Sequence, residues 1–235
     1  MPHRNFTLAD LARYLGMDAR ELERWAERGQ IPAMKVGGEW RFNGAATLEW
    51  AQRELPNLDE RHIREMERAM SGGDEGIIVG RLLHAGGVEP NLAARSPESV
   101  LRELVALAEK TELLYDPKGL FEALREREQM CSTALPGGIA LPHPRRPMPY
   151  AFAEPFVCFA RVIAGVPFSA PDGELTDLFV LVCCAEERQH LTVLARLALM
   201  FHTTPLIRQL REIESAAEAE GLIRSAEETA LKHRR

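Results

Sequence analysis

Two stretches, FVCFARVI (Phe156–Ile163) and DLFVLVCCA (Asp177–Ala185), carry apolar residues at almost every position. A strand with one wet face alternates apolar and polar side chains, whereas a strand without alternation has both faces covered. The pair therefore predicts a sheet flanked by helices, and the chain supplies those helices. SPESVLRELVALAEK (Ser96–Lys110) opens on a serine cap and keeps its leucines, valines and alanines at helical spacing. PKGLFEALREREQM (Pro117–Met130) repeats the scheme with proline in its first turn. EERQHLTVLARLALMF (Glu186–Phe201), TPLIRQLREI (Thr204–Ile213) and a charged closing segment read as further helices, and GGIALPH (Gly137–His143) is a third strand candidate. From Gly76 onward the expected fold class is α/β.

The first 55 residues follow other punctuation. Thr7 can cap a helix carrying Leu8, Leu11, Ala12 and Leu15, which Gly16 ends; Asp18 caps a second with Leu22, Trp25 and Ala26 inward, which Gly29 stops. AMKVGGEWRF then reads as two short strands joined by Gly37-Gly38, residues that accept the positive φ of a tight hairpin. A third helix, Ala45 to Glu54, is expected to pack Leu48 and Trp50 underneath. The order is helix, turn, helix, wing. LGMDARELERWAERGQIPAMKVGGEWRF resembles the excisionase and MerR-like winged helix-turn-helix family over Asn5 to Leu55. After it, Ile63, Met66 and Met70 form one stripe on a charged helix, readable as a connector or as a dimerisation helix, and Ser71-Gly72-Gly73 reads as a break. The expected organisation is a winged helix-turn-helix domain over 1–55, a linker over 56–75 with the boundary near Gly73, and the α/β domain over 76–235.

Composition narrows the function classes. A net charge of -6 argues against wholesale coating of nucleic acid, although a local basic face is a separate matter. MPHRNFTLADLARY lacks the apolar core of a signal peptide, and no apolar run approaches the roughly 18 residues of a membrane span, so a cytoplasmic protein without membrane insertion is expected. The cysteines, Cys131, Cys158, Cys183 and Cys184, form no CxxC pair; they read as reduced, mostly buried thiols, not as a zinc site. With no P-loop or dinucleotide fingerprint, no cofactor and no metal is expected.

GGIALPHPRR (Gly137–Arg146) places a lone histidine between an apolar run and a proline-arginine stretch. Alone, such a histidine is as well explained by packing as by chemistry. Its surroundings change the reading. REREQMCSTALPGGIALPH lies upstream, and QHLTVLARLA opens a helix about 45 residues downstream. Together they resemble the enzyme IIA domain of the fructose, mannitol and nitrogen-related branch of the bacterial phosphotransferase system. That family carries an Arg-Glu pair, a Ser-Thr pair, a glycine-rich step and a Pro-His, then a second histidine in HLxxLxxLA. The resemblance spans Ile77 to Glu227 and implies a mixed sheet flanked by helices.

It also implies that His143 accepts a phosphoryl group from an HPr-type phosphocarrier protein. A neutral imidazole, with an ordinary pKa of about 6.5, offers a lone pair near pH 7 without a strong base. Phosphoryl transfer then needs positioning and charge stabilisation more than covalent help. By resemblance Arg127 is the arginine of the Arg-Glu pair, suited to hold phosphoryl oxygens in a fork. Ser132 and Thr133 are the hydroxyl pair, as donors or as holders of the loop. Gly137 and Gly138 let backbone amides and the partner approach, and His190 is the second histidine. Taken singly, Arg127 reads equally as a solvated helix face, the hydroxyls as a cap and His190 as an ordinary helix residue. His143 is expected to stand open to solvent at the lip of a shallow cleft. Cys131, Pro136 and Pro144 depart from the family pattern and imply a stiffer rim, and Arg145 and Arg146 read as a solvated basic pair or an attractor of acidic surfaces.

In the N-terminal domain Arg20, Arg24 and Arg28 recur every fourth residue on the second helix, with Lys35 and Arg41 on the hairpin, an arrangement suited to a major groove and its backbone. Against them stand Glu21, Glu23 and Glu27, and residues 1–55 hold eight basic and eight acidic side chains, so nonspecific phosphate attraction is weak. A protein-docking module on the same scaffold is the other reading. The expected function is a regulator in which phosphorylation of His143 alters DNA binding. The alternative is a sugar-specific (fructose or mannitol-type) phosphotransfer component of a transport system. A transporter or regulatory-protein partner and a homodimer are left open.

Overall fold

A computed structural model describes residues 5–72, 76 and 78–232. The chain separates into two units, Met1–Glu75 and Gly76–Arg235. Gly73, the expected boundary, lies outside the described residues.

The first unit runs β1 (Asn5–Thr7), α1 (Leu8–Leu15), α2 (Ala19–Glu27), β2 (Met34–Val36), β3 (Glu39–Asn43), α3 (Gly44–Glu54), a 3-10 turn and α4 (Glu60–Ser71). The Thr7 hydroxyl accepts the Asp10 amide at 3.1 Å while the Asp10 carboxylate turns back to the Thr7 amide, a reciprocal cap. Asp18 accepts from the amides of Arg20 and Glu21. Gly16 closes α1 at φ +71°, and a Cβ there would lie 2.6 Å from the Glu65 carbonyl oxygen, because α4 packs against α1. Gly37 and Gly38, both at positive φ, reverse the chain between β2 and β3. The sheet order is β1-β3-β2, so the wing carries a third strand that three residues of sequence could not announce. Leu48 and Trp50 are buried as expected, and the Trp50 indole donates to the Gln30 carbonyl at 2.7 Å. One expectation is corrected. Ile63, Met66 and Met70 are buried within this unit, so α4 is its fourth helix and its apolar stripe is spent on the unit's own core, not on a connector surface.

The second unit runs α5 (Val79–Leu82), β4 (Leu83–Glu89), α6 (Pro97–Glu109), α7 (Pro117–Met130), β5 (Ala134–Leu135), β6 (Ile139–Ala140), β7 (Phe156–Val166), β8 (Thr176–Cys183), α8 (Glu187–Thr203), α9 (Leu206–Leu210) and α10 (Ala216–Lys232). Its mixed sheet has the order β4-β7-β8-β6-β5, with β4–β7 and β8–β6 parallel and the other two pairs antiparallel. Phe156, Cys158, Ala160 and Val162 of β7 and Phe179, Leu181 and Cys183 of β8 join one core with α6 and α7. Residues of opposite parity, Val157, Phe159, Val180 and Val182, are equally buried, with α8 against β8 and α10 against β4. The missing alternation is thus explained, and each fully buried phenylalanine contributes roughly 2–3 kcal/mol. β4 was not foreseen, because LHAGGVE offers neither an apolar run nor a clean alternation.

α8 is anchored below its first turn. The Glu227 carboxylate accepts the amides of Ile78, Val79 and Gly80 at 2.6, 3.0 and 2.8 Å and pairs with Arg196 of α8 at 2.8 Å, both side chains being fully buried. Removing one partner of such a pair leaves an uncompensated charge, at a cost of about 3–5 kcal/mol. No described helix is long and apolar enough to cross a membrane.

A buried histidine pair as candidate active site

β6 and β8 run parallel, so their carboxyl ends lie at the same edge of the sheet. His143 follows the end of β6, and α8, with His190 in its first turn, begins just after β8. Parallel strands ending beside a helix N-terminus form a crevice suited to anions. The loop is pinned on both sides: the Leu141 amide donates to the Thr133 carbonyl at 3.1 Å and the Val182 amide to the Pro142 carbonyl at 2.9 Å.

The two imidazoles meet with ring centroids 4.9 Å apart at 52°. His143 is 3% exposed, His190 4% and Arg127, in the last turn of α7, 8%. The expected solvent-open ring is therefore corrected: Nε2 of His143 is covered, as is Nε2 of His190, and neither has a hydrogen-bond partner among the described residues. The physical reason is the packing of the loop: it is tied to β8, Pro142 and Pro144 are buried with it, and the imidazole lies against His190.

His143 Nδ1 lies 2.7 Å from the Leu141 carbonyl oxygen. A carbonyl can only accept, so Nδ1 carries the proton and Nε2 keeps the lone pair. Burial, then the neighbouring His190 and Arg127, hold the His143 pKa well below the ordinary imidazole range. Burial and Arg127 push His190 down to about 4. Both rings are neutral at pH 7. Arg127 acts electrostatically on both rings, and a guanidinium there disfavours a metal cation between the imidazoles and favours an anion.

The other expected residues divide. Arg127 donates to the Cys131 carbonyl at 2.6 Å and acts electrostatically on both histidines, so it belongs to the cluster. Ser132 donates to the Phe168 carbonyl and accepts the Ala134 amide, while Thr133 donates from both its amide and its hydroxyl to Glu128. Of the two readings left open for this pair, the loop-holding one fits, because both hydroxyl protons are already engaged. Gly137 and Gly138 stand at the other end of β6. The Gly137 amide donates to Asp172 at 2.8 Å, its carbonyl accepts from Arg211, and a Cβ on Gly138 would meet the Arg211 guanidinium at 2.4 Å. These glycines serve the hairpin tip and do not line the histidine pair. Sequence reasoning missed the Leu141 carbonyl, a backbone group with no residue-type signal.

A family model described as "Phosphoenolpyruvate-dependent sugar phosphotransferase system, EIIA 2" matches residues 81–226. The chain belongs to this family. A second model, described as "Helix-turn-helix domain", matches residues 6–54. The EIIA 2 chain is 32% identical over 130 residues to a nitrogen regulatory protein of Bradyrhizobium diazoefficiens, covering 54% of this chain and 82% of that protein. It is 29% identical over 139 residues to the PTS system fructose-specific EIIABC component of Bacillus subtilis, covering 58% of this chain but only 21% of that one. The crystal structure of nitrogen regulatory protein IIA-Ntr from Neisseria meningitidis aligns with a TM-score of 0.56 at 27% identity, over 62% of this chain and 98% of that one. IIA mannitol from Escherichia coli, at 21% identity and a TM-score of 0.52 over 60% and 98%, shares the fold.

In the helix-turn-helix unit Arg20 and Arg24 of α2 and Arg28, the residue that caps its end, are exposed. Glu21, expected to pair with them or face solvent, turns instead to α4, where it meets Arg61 at 3.2 Å and His62 at 3.0 Å. The three arginines have no ion pair among the described residues. Lys35 sits 4.7 Å over the Trp40 ring, and Arg41 is tied to Glu39 at 2.7 Å.

Proposed function

We propose that this EIIA 2 protein accepts a phosphoryl group on Nε2 of His143 from an HPr-type phosphocarrier, and that the phosphorylated state alters DNA binding by the helix-turn-helix unit in the cytoplasm. One observation carries the first half: Nδ1–H of His143 is committed to the Leu141 carbonyl, leaving a buried, unpartnered Nε2 beside a second one and Arg127. In the transfer the Nε2 lone pair forms a bond to phosphorus while the bond from phosphorus to the carrier breaks, its electron pair leaving on the carrier atom; no proton need move. The new dianion would sit against Arg127 and the first turn of α8, both favourable to negative charge. It would also favour protonation of His190, adding a charge-assisted hydrogen bond. Because Nε2 is covered at rest, the carrier must displace part of the rim.

The second half rests on the uncompensated arginine row of α2 and on the fused arrangement of the two matched families. A phosphoryl group adds about two negative charges, enough to reset an interface that it faces. Incubation with phosphoenolpyruvate, the general relay enzyme and the carrier should give an acid-labile phosphohistidine that His143→Ala loses. Gel mobility of duplexes selected from a random pool, with and without phosphorylation, tests the coupling; unchanged mobility would favour a phosphotransfer component whose N-terminal unit docks protein.

A further inference from the structure

Glu128 is the acidic half of the Arg-Glu pair, and its contacts reach further than its neighbour's charge. Its carboxylate accepts the Thr133 amide at 3.0 and 3.2 Å and the Thr133 hydroxyl at 2.7 Å. Both donors of one residue are thereby fixed by one side chain from the last turn of α7. The Thr133 carbonyl accepts the Leu141 amide at 3.1 Å, and the Leu141 carbonyl accepts Nδ1–H of His143 at 2.7 Å. A continuous chain of hydrogen bonds therefore runs from a carboxylate on a helix to the protonated nitrogen of the candidate nucleophile.

We propose that Glu128 is a positioning residue for His143: by fixing Thr133, and through it Leu141, it dictates which imidazole nitrogen carries the proton and keeps Nε2 as the one with the lone pair. The tautomer is a property of the resting protein; only its kinetic consequence rests on the phosphoryl-acceptor reading. Without the tether, Thr133 loses the partner of both its donors, and the carbonyl that receives the Leu141 amide is free to shift. The wrong tautomer places N–H where phosphorus must bond and moves the lone pair to Nδ1, so the ring is no nucleophile at Nε2. Merely neutralising Arg127 would be a different role, and the two are separable. Glutamine keeps an acceptor oxygen for Thr133 while losing the charge; alanine loses both.

The test uses the full chain with 15N-labelled histidine. Long-range 1H–15N spectra at pH 7.5 should show His143 protonated at Nδ1 in the unmodified protein and in Glu128→Gln, and a mixture of tautomers in Glu128→Ala. Initial rates of phosphorylation by the carrier should fall about tenfold or more in kcat for Glu128→Ala, with KM for the carrier little changed, and stay within about threefold for Glu128→Gln. Thr133→Val, which removes only the hydroxyl link, should fall between them and serves if Glu128→Ala does not fold. A Glu128→Ala protein with an unchanged Nδ1–H population would overturn the proposal, as would Glu128→Gln behaving like Glu128→Ala. Failure of the unmodified protein to take a phosphoryl group would instead strike the acceptor reading, leaving the tautomer comparison to decide the role of Glu128.

Discussion

Acid should loosen the second unit through its histidine pair, and the size of the effect can be worked from His190. Its ordinary pKa is 6.5, and burial beside Arg127 brings it to about 4 in the folded protein. Because the folded value is the lower one, the unfolded chain binds more protons between the two. The stability it confers is complete above pH about 6.5 and is lost as pH falls toward 4. At pH 5 an unfolded His190 is almost fully protonated and the folded one mostly neutral, which corresponds to a loss of about 2 kcal/mol relative to pH 8. His143 shifts in the same direction. His190→Gln removes the titrating ring, so the pH 8 to pH 5 loss in the variant should be smaller by about 2 kcal/mol. Urea unfolding of the full chain measures this. Trp25, Trp40 and Trp50 all lie in the first unit, so fluorescence follows that unit while circular dichroism at 222 nm follows both. A variant that loses as much stability as the unmodified protein would refute a neutral, buried His190.

Three further outcomes are expected. Arg127→Lys keeps a charge but loses the planar fork, and should lower the phosphorylation rate by about a hundredfold in single-turnover labelling with little effect on carrier binding. Gly16→Ala forces a Cβ into the Glu65 carbonyl at positive φ, and should destabilise the first unit by about 1–3 kcal/mol by tryptophan fluorescence in urea. Arg24→Ala should weaken binding to a selected duplex by about 1–3 kcal/mol, measured by fluorescence anisotropy, whereas Arg41→Ala should cost less because Arg41 is already tied to Glu39.

The elements legible in the sequence are those whose cause is local. Apolar runs at β7 and β8, the caps at Thr7, Asp18 and Ser96, and the Gly37-Gly38 reversal are all written in residue types. β1 and β4 were not, since each is held by pairing to a strand distant in sequence and carries no pattern of its own. α4 shows how a correct pattern can be assigned the wrong partner: the Ile63, Met66, Met70 stripe was visible, but that α1 would receive it depends on Gly16 letting the two helices close. At the site, the gathering of His143, His190 and Arg127 is what the resemblance to the phosphotransferase family implies; taken singly, none of the three carries a signal for it. The covering of the ring is not legible in the sequence, because it depends on the loop's tie to β8 and on His190, both distant along the chain. The surroundings of Gly137 and Gly138 are hidden for a similar reason, as their neighbours Asp172 and Arg211 lie more than thirty residues away in sequence.

The site of phosphorylation is open to direct measurement. The full chain, incubated with phosphoenolpyruvate, the relay enzyme and the carrier and examined by 31P and 15N NMR, should carry a single acid-labile phosphoryl group on Nε2 of His143. Label on Nδ1, on another residue, or on none would contradict the assignment of His143 as acceptor.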